Sequence, residues 1–238
     1  MPLSSRVSRD DTLAEEVLAV ERSSLSTGTG LPHSDPTSSA TWAFVRDELL
    51  AMSAEDVRVR SELAADGSLF HGYHPRMRAV HDTNASRLTT ILDAHGWPGE
   101  RQVGRDGALA AWLIVQHAIG HPALQRRALE LLQAAVRHGD APPLHAAMLE
   151  DRIRVFEGRH QLYGTQFDWD STGQLSPLPI EDPTEVGARR RALGLEPLEQ
   201  QVKDVRAAAA REGERPPADW AAHQREIEAW YREVGWRS

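Results

Sequence analysis

Four stretches of this sequence carry polar side chains on helical faces that are otherwise apolar. With about 100° between successive residues, the segment beginning at Pro142 sets Arg152 and His145 in the middle of an arc made by Leu144, Met148, Leu149, Ile153, Val155 and Phe156. The segment beginning at Pro75 sets His81 and Asn84 inside the stripe Met77, Val80, Leu88, Ile91 and Leu92, and turns Asp82 elsewhere. Between Leu49 and Leu63, Asp56 and Arg60 share the side of Leu49, Met52, Val59 and Leu63, at the i, i+4 spacing of an ion pair. The run GALAAWLIVQHAIG contributes Gln116 and His117 directly after its most apolar stretch.

An unsatisfied buried polar group costs about 1 to 3 kcal/mol, and a charged one more, so groups like these should converge and answer one another inside the fold. Two arginines and three histidines with few carboxylates suit a cavity for an anionic or carbonyl-bearing small molecule. In an enzyme of that kind His117 is the general acid or base. Arg152 and Arg60 hold a carboxylate, phosphate or developing oxyanion, and Gln116, Asn84, Thr165 and Gln166 orient the substrate. Isomerisation, elimination, group transfer and hydrolysis all stay open, because no residue is an obvious nucleophile. The bland alternative is a noncatalytic binding or interaction domain in which Asp56 with Arg60, and Arg152 with a carbonyl or with Asp151, only tie helices together. A third reading is a metal enzyme using His117, His81 or His145 with Asp56.

Several chemistries are excluded outright. The absence of Cys removes thiol nucleophiles, disulfides and thiolate metal sites, and Lys203, the only lysine, lies in a charged Ala-rich helix. Gly28-Thr29-Gly30 lacks the third glycine and the strand of a dinucleotide fingerprint, and no GxSxG elbow occurs. Asp168, Asp170 and Gly173 begin like a calcium loop, but Pro179 stands where a bidentate Glu is needed. His117 and His121 are spaced for one helical face, yet Gly120 and Pro122 should end the helix between them. A net charge of -8 argues against nucleic acid as a partner. The N-terminus lacks the apolar run of a signal peptide and no membrane span is present, so a cytoplasmic protein with a small-molecule ligand is expected.

The elements that must position these residues are mainly helical: a single-domain helical bundle with one small β-hairpin near residues 163–179. Residues 1–39 read as an amphipathic helix, about 10–22, followed by a flexible linker. In the core region, 40–195, Ser53 and Asp56 resemble a capping box opening or restarting a helix that runs to about Ala65. Pro75, Asp106, Pro122 and Pro142-Pro143 mark helix starts, and Gly96, Gly139, Gly158 and Gly194 mark stops. YGTQFDWDSTGQLSPLPI alternates about the turn Ser171-Thr172-Gly173, which predicts the hairpin, read as a lid. A C-terminal extension, 196–238, supplies two helices. The second presents Trp220, Ile227, Trp230, Tyr231 and Val234 to the core or to a second subunit, as in a homodimer.

The ordered set DVRVR (from Asp56), HDTN (from His81), HGWP (from His95), QHA (from Gln116), EDRI (from Glu150), YGTQF (from Tyr163) and PIED (from Pro179) resembles a bacterial domain family of unknown function, from about residue 45 to 200. The resemblance names no reaction. It implies that Gln116, His117, Asp151, Arg152, Thr165 and Gln166 belong to a site, with Asp151 joining His117 and Arg152 as catalytic and Tyr163 joining the substrate-binding set. No cofactor is expected from these motifs, and a metal is left open.

Overall fold

Helix formation follows the proline and glycine punctuation of the sequence, and the product is a bundle around one very apolar helix. This computed structural model describes residues 36–70 and 73–238; the expected N-terminal helix lies outside them. The elements are α1 (Pro36–Ala65), a 3₁₀ turn (Ser68–Phe70), α2 (Pro75–His95), α3 (Glu100–His117), α4 (Pro122–Arg137), α5 (Pro143–Phe156), β1 (Phe167–Trp169), β2 (Leu175–Pro177), α6 (Val186–Ala192), α7 (Leu198–Glu212) and α8 (Trp220–Glu233). The protein is mainly α, as the periodicity predicts.

Two boundaries differ from expectation. α1 is one helix of 30 residues, so Ser53 is an interior residue and no helix restarts there; the apolar stripe continues unbroken across it and outweighs the local capping pattern. α3 begins at Glu100, before the expected cap at Asp106, and bends where Gly104 leaves helical geometry at φ 72. Asp106 still serves the next turn, Oδ1 accepting from the Gly107 N–H at 2.9 Å, while its carboxylate also pairs with Arg46 of α1. A Cβ at Gly107 would lie 2.9 Å from Val103 Cβ in the preceding turn and 3.1 Å from Arg46 Cγ of α1, a tight fit that glycine relieves.

From Gly107 to His117 every residue of α3 is buried. α1 packs along it, α2 lies against both, and α4 pairs with α5. Leu49, Leu88, Trp112, Val115, Leu132 and Leu149 sit at the centre of one continuous apolar cluster. The hairpin pairs antiparallel, with Phe167 opposite Pro177 and Trp169 opposite Leu175. Its turn is organised by Asp170, whose carboxylate accepts from Thr172 N, Thr172 Oγ1, Gln174 N and Ser176 Oγ, a set of internal bonds rather than a calcium loop. Trp169 and Leu175 pack on Ala209 of α7, and Trp220 Nε1 donates to Trp169 O at 2.8 Å. These contacts join the strand pair to α7 and α8.

The C-terminal segment docks on the core of its own chain. Ile227, Trp230, Tyr231 and Trp236 are buried, with Tyr231 and Trp236 ring centroids 5.1 and 5.2 Å from that of Phe156. Trp236 Nε1 donates to Ile119 O at 2.7 Å, and Arg237 donates to Phe156 O and Val155 O, carbonyls at the end of α5. Trp236→Ala should therefore cost about 3 to 5 kcal/mol by urea denaturation. Trp236→Phe, which keeps most of the ring and leaves Ile119 O without its donor, should cost about 1 to 3 kcal/mol. Wild-type stability in both variants would show that the C-terminal segment contributes nothing to the core.

Candidate functional site

Three of the polar residues picked out on core-facing stripes meet. Asp56 comes from the middle of α1, His81 from the second turn of α2 and His117 from the last position of α3. They are 3%, 3% and 7% exposed, so whatever they do is done away from bulk water. One carboxylate oxygen, Asp56 Oδ2, lies 3.0 Å from His117 Nδ1 and 3.3 Å from His81 Nε2. The two imidazole centroids are 5.3 Å apart. On its far side His81 Nδ1 is 2.7 Å from the Tyr73 hydroxyl, and those rings lie 5.6 Å apart.

The electrostatics follow from this placement. Burial works to raise the Asp56 carboxyl, but the adjacent His117 and His81 rings outweigh it and hold the group ionised well below the usual carboxylate range. One atom from each residue falls within a common sphere, all separations being 4.8 Å or less, so the group has the donor types and the spacing to hold a metal ion. Asp56 does not turn toward Arg60. Its partners among the described residues are the two imidazoles, and Arg60 stands half-buried one turn further along α1.

The other expected site residues are buried but have separate tasks. Arg152, 2% exposed, donates through Nη1 to Gln116 O, a carbonyl at the C-terminal end of α3 where the helix dipole favours a cation. Asn84 Nδ2 donates to Met52 O at 3.3 Å, joining α2 to α1. His145 stacks on Trp112 with centroids 4.3 Å apart and 13° between planes. Gln116 lies next to His117 in sequence; its side-chain amide, 1% exposed, has no hydrogen-bond partner among the described residues on either Nε2 or Oε1.

Asp151 lies on α5 and organises the segment after it. Its two oxygens accept from Leu162 N at 2.6 Å, Tyr163 N at 3.1 and 3.2 Å, Thr165 N at 3.1 Å and Thr165 Oγ1 at 3.0 Å. Burial pushes this carboxyl up, against the opposite pull of those hydrogen bonds. Gln166 continues the segment, its N–H donating to Gln161 Oε1 at 2.8 Å and its Nε2 reaching Thr165 Oγ1 at 3.3 Å. Asp151, Tyr163, Thr165 and Gln166 thus form a second unit, built as a loop anchor, and the structure does not bring it to Asp56.

Some participants carry no sequence signal. Tyr73 precedes Pro75 and so falls outside any helical stripe. Gln125 of α4, fully buried, donates to Val115 O at 2.7 Å and Gln116 O at 3.3 Å. Asp168 of the hairpin faces His223 of α8, with Nε2 3.3 Å from both carboxylate oxygens. His121 starts α4 and pairs with Asp82 at 2.8 Å, which removes it from His117 as the helix-ending residues between them predict. A groove of about 250 Å³ between the end of α5, residues 158–160 and α8 is lined by none of Asp56, His81 and His117.

Because a hydrogen bond to a charged group is worth about 1.5 to 3 kcal/mol, Asp151→Asn should cost at least about 2 kcal/mol. Hydrogen exchange at Leu162, Tyr163 and Thr165 should accelerate while that of α3 changes little. Unaltered protection of those three amides would remove Asp151 from its anchoring task.

Comparison with curated proteins and with solved structures gives no match. A family model, described as a family of unknown function, matches residues 44–211. The match takes in Asp56, Tyr73, His81, His117 and the whole Asp151 loop. It also takes in nearly all of α7, which the sequence motifs leave outside, and it stops before α8. With well over half of its length matched, the chain belongs to the family of unknown function DUF6624.

Proposed function

We propose that the chain is an enzyme acting on a small polar metabolite, one that bears a carbonyl or an anionic group, by acid–base chemistry at the buried Asp56, His81 and His117 centre. One observation carries the reading: a single ionised carboxylate oxygen is shared by imidazoles from two other helices, at the end of the most deeply buried helix of the fold. Asp151, which ties a loop to α5, has both carboxylate oxygens answered. Here Asp56 Oδ1 and both polar atoms of the Gln116 side chain make no hydrogen bond among the described residues. Residues kept in so costly a condition are supported by function. Asp56 orients the rings and stabilises positive charge that develops on them, His117 at the helix terminus borders the substrate, and Gln116 supplies an amide donor and acceptor to orient it.

The reading is tested by thermal denaturation against a panel of phosphates, carboxylates and carbonyl compounds. A ligand at a hundred times its dissociation constant stabilises the native state by about 2.7 kcal/mol. At least one chemical class should do so in wild type, and His117→Gln should keep the fold but lose the response. If no compound shifts wild type and His117→Gln unfolds the protein, the centre is a helix tie and the enzyme reading falls.

A further inference from the structure

We propose that Asp56, His81 and His117 bind one divalent first-row transition-metal ion of the zinc, cobalt or manganese kind. The inference rests on the reading of this group as the reactive centre and deepens it: the acid of that acid–base chemistry is the ion.

Distances come first. Nitrogen and oxygen ligands sit about 2.0 to 2.2 Å from such an ion, so neighbouring ligand atoms of a tetrahedral or octahedral shell lie roughly 3.0 to 3.5 Å apart. The two separations about Asp56 Oδ2, 3.0 Å to His117 Nδ1 and 3.3 Å to His81 Nε2, are edges of that size. All three ligand atoms lie within 4.8 Å of one another.

Tautomer geometry is the second strand. His81 Nε2 lies 3.3 Å from Asp56 Oδ2 without well-formed hydrogen-bond geometry among the described residues. With the Tyr73 hydroxyl 2.7 Å from Nδ1, an Nδ1–H tautomer would donate to the phenol oxygen and leave the Nε2 lone pair for a metal. In that tautomer a cation beside Nε2 and the carboxylate, in a site 3% exposed, supplies the attraction. Tyr73 is the outer partner that a metal-binding imidazole needs to fix its tautomer.

The donor set selects the kind of ion. Two imidazoles and a carboxylate suit zinc and its neighbours, whereas calcium takes oxygen ligands alone and magnesium is held by carboxylates, phosphates and water. Three protein ligands leave at least one position free, as in catalytic rather than structural sites. Asp56 Oδ1, which has no hydrogen-bond partner among the described residues, is available to make the carboxylate bidentate or to accept from a ligand in that position.

The full chain, stripped with EDTA and dialysed, is titrated with Zn²⁺, Co²⁺, Mn²⁺, Mg²⁺ and Ca²⁺ by calorimetry and thermal denaturation. One equivalent of Zn²⁺ or Co²⁺ should bind and raise Tm, with Mg²⁺ and Ca²⁺ inert at the same concentration. Asp56→Asn, His81→Gln and His117→Gln should each weaken binding at least 100-fold. Tyr73→Phe should weaken it 10- to 100-fold, and His121→Ala, which alters a half-buried histidine paired with Asp82, should leave it unchanged. Should the ligand variants fail to fold, pulsed EPR of the Cu²⁺-loaded wild type counts coordinated imidazoles, and two are expected. Absence of tight binding in wild type, affinity unaltered in folded Asp56→Asn and His81→Gln, or a nitrogen count other than two would overturn the metal site. The enzyme reading survives that failure if the metal-free protein still responds to the metabolite panel through His117. It falls separately if the loaded protein responds to no member of the panel.

Discussion

A helix that is buried to its last residue leaves carbonyl groups in a place water does not reach, and the fold answers this constraint at the end of α3. Val115 O and Gln116 O accept from Gln125 of α4, and Gln116 O accepts also from Arg152 of α5. Arg152, which looks anomalous on its own helix, is thereby explained, because its side chain is needed by a neighbouring backbone. The same docking fixes where α3 stops. His117 is its final residue, and the next turn, through Ile119, is pinned by Trp236 from the far end of the chain. The position of His117 relative to Asp56 thus depends on α4, α5 and the C-terminal segment as well as on the helices that carry the two residues.

The molecule holds two buried carboxylates of contrasting condition. Asp151 is surrounded by donors from residues 162–165 and shapes the chain leading into the hairpin. Asp56 has one oxygen between two imidazoles and the other with no hydrogen bond among the described residues. The contrast divides the sequence motifs into a loop anchor about YGTQ and a buried acid–imidazole group drawn from α1, α2 and α3.

The periodicity of the sequence and its Pro and Gly punctuation placed α2, α4, α5 and the hairpin close to where they lie, because those signals act on the backbone within a few residues. It also identified Asp56, His81, Asn84, Gln116, His117, His145 and Arg152 as buried, since a polar residue on an apolar face has nowhere else to go. Partnership was beyond its reach. Asp56 and Arg60 have the spacing of an ion pair, but Asp56 instead meets His81 and His117, the latter 61 residues away in sequence, where α1 packs along α3. Adjacent residues 151 and 152 likewise serve different neighbours, the loop and the end of α3, because successive helical side chains point about 100° apart. Local chemistry determined which residues would be inside; packing of helices distant in sequence decided which of them would meet.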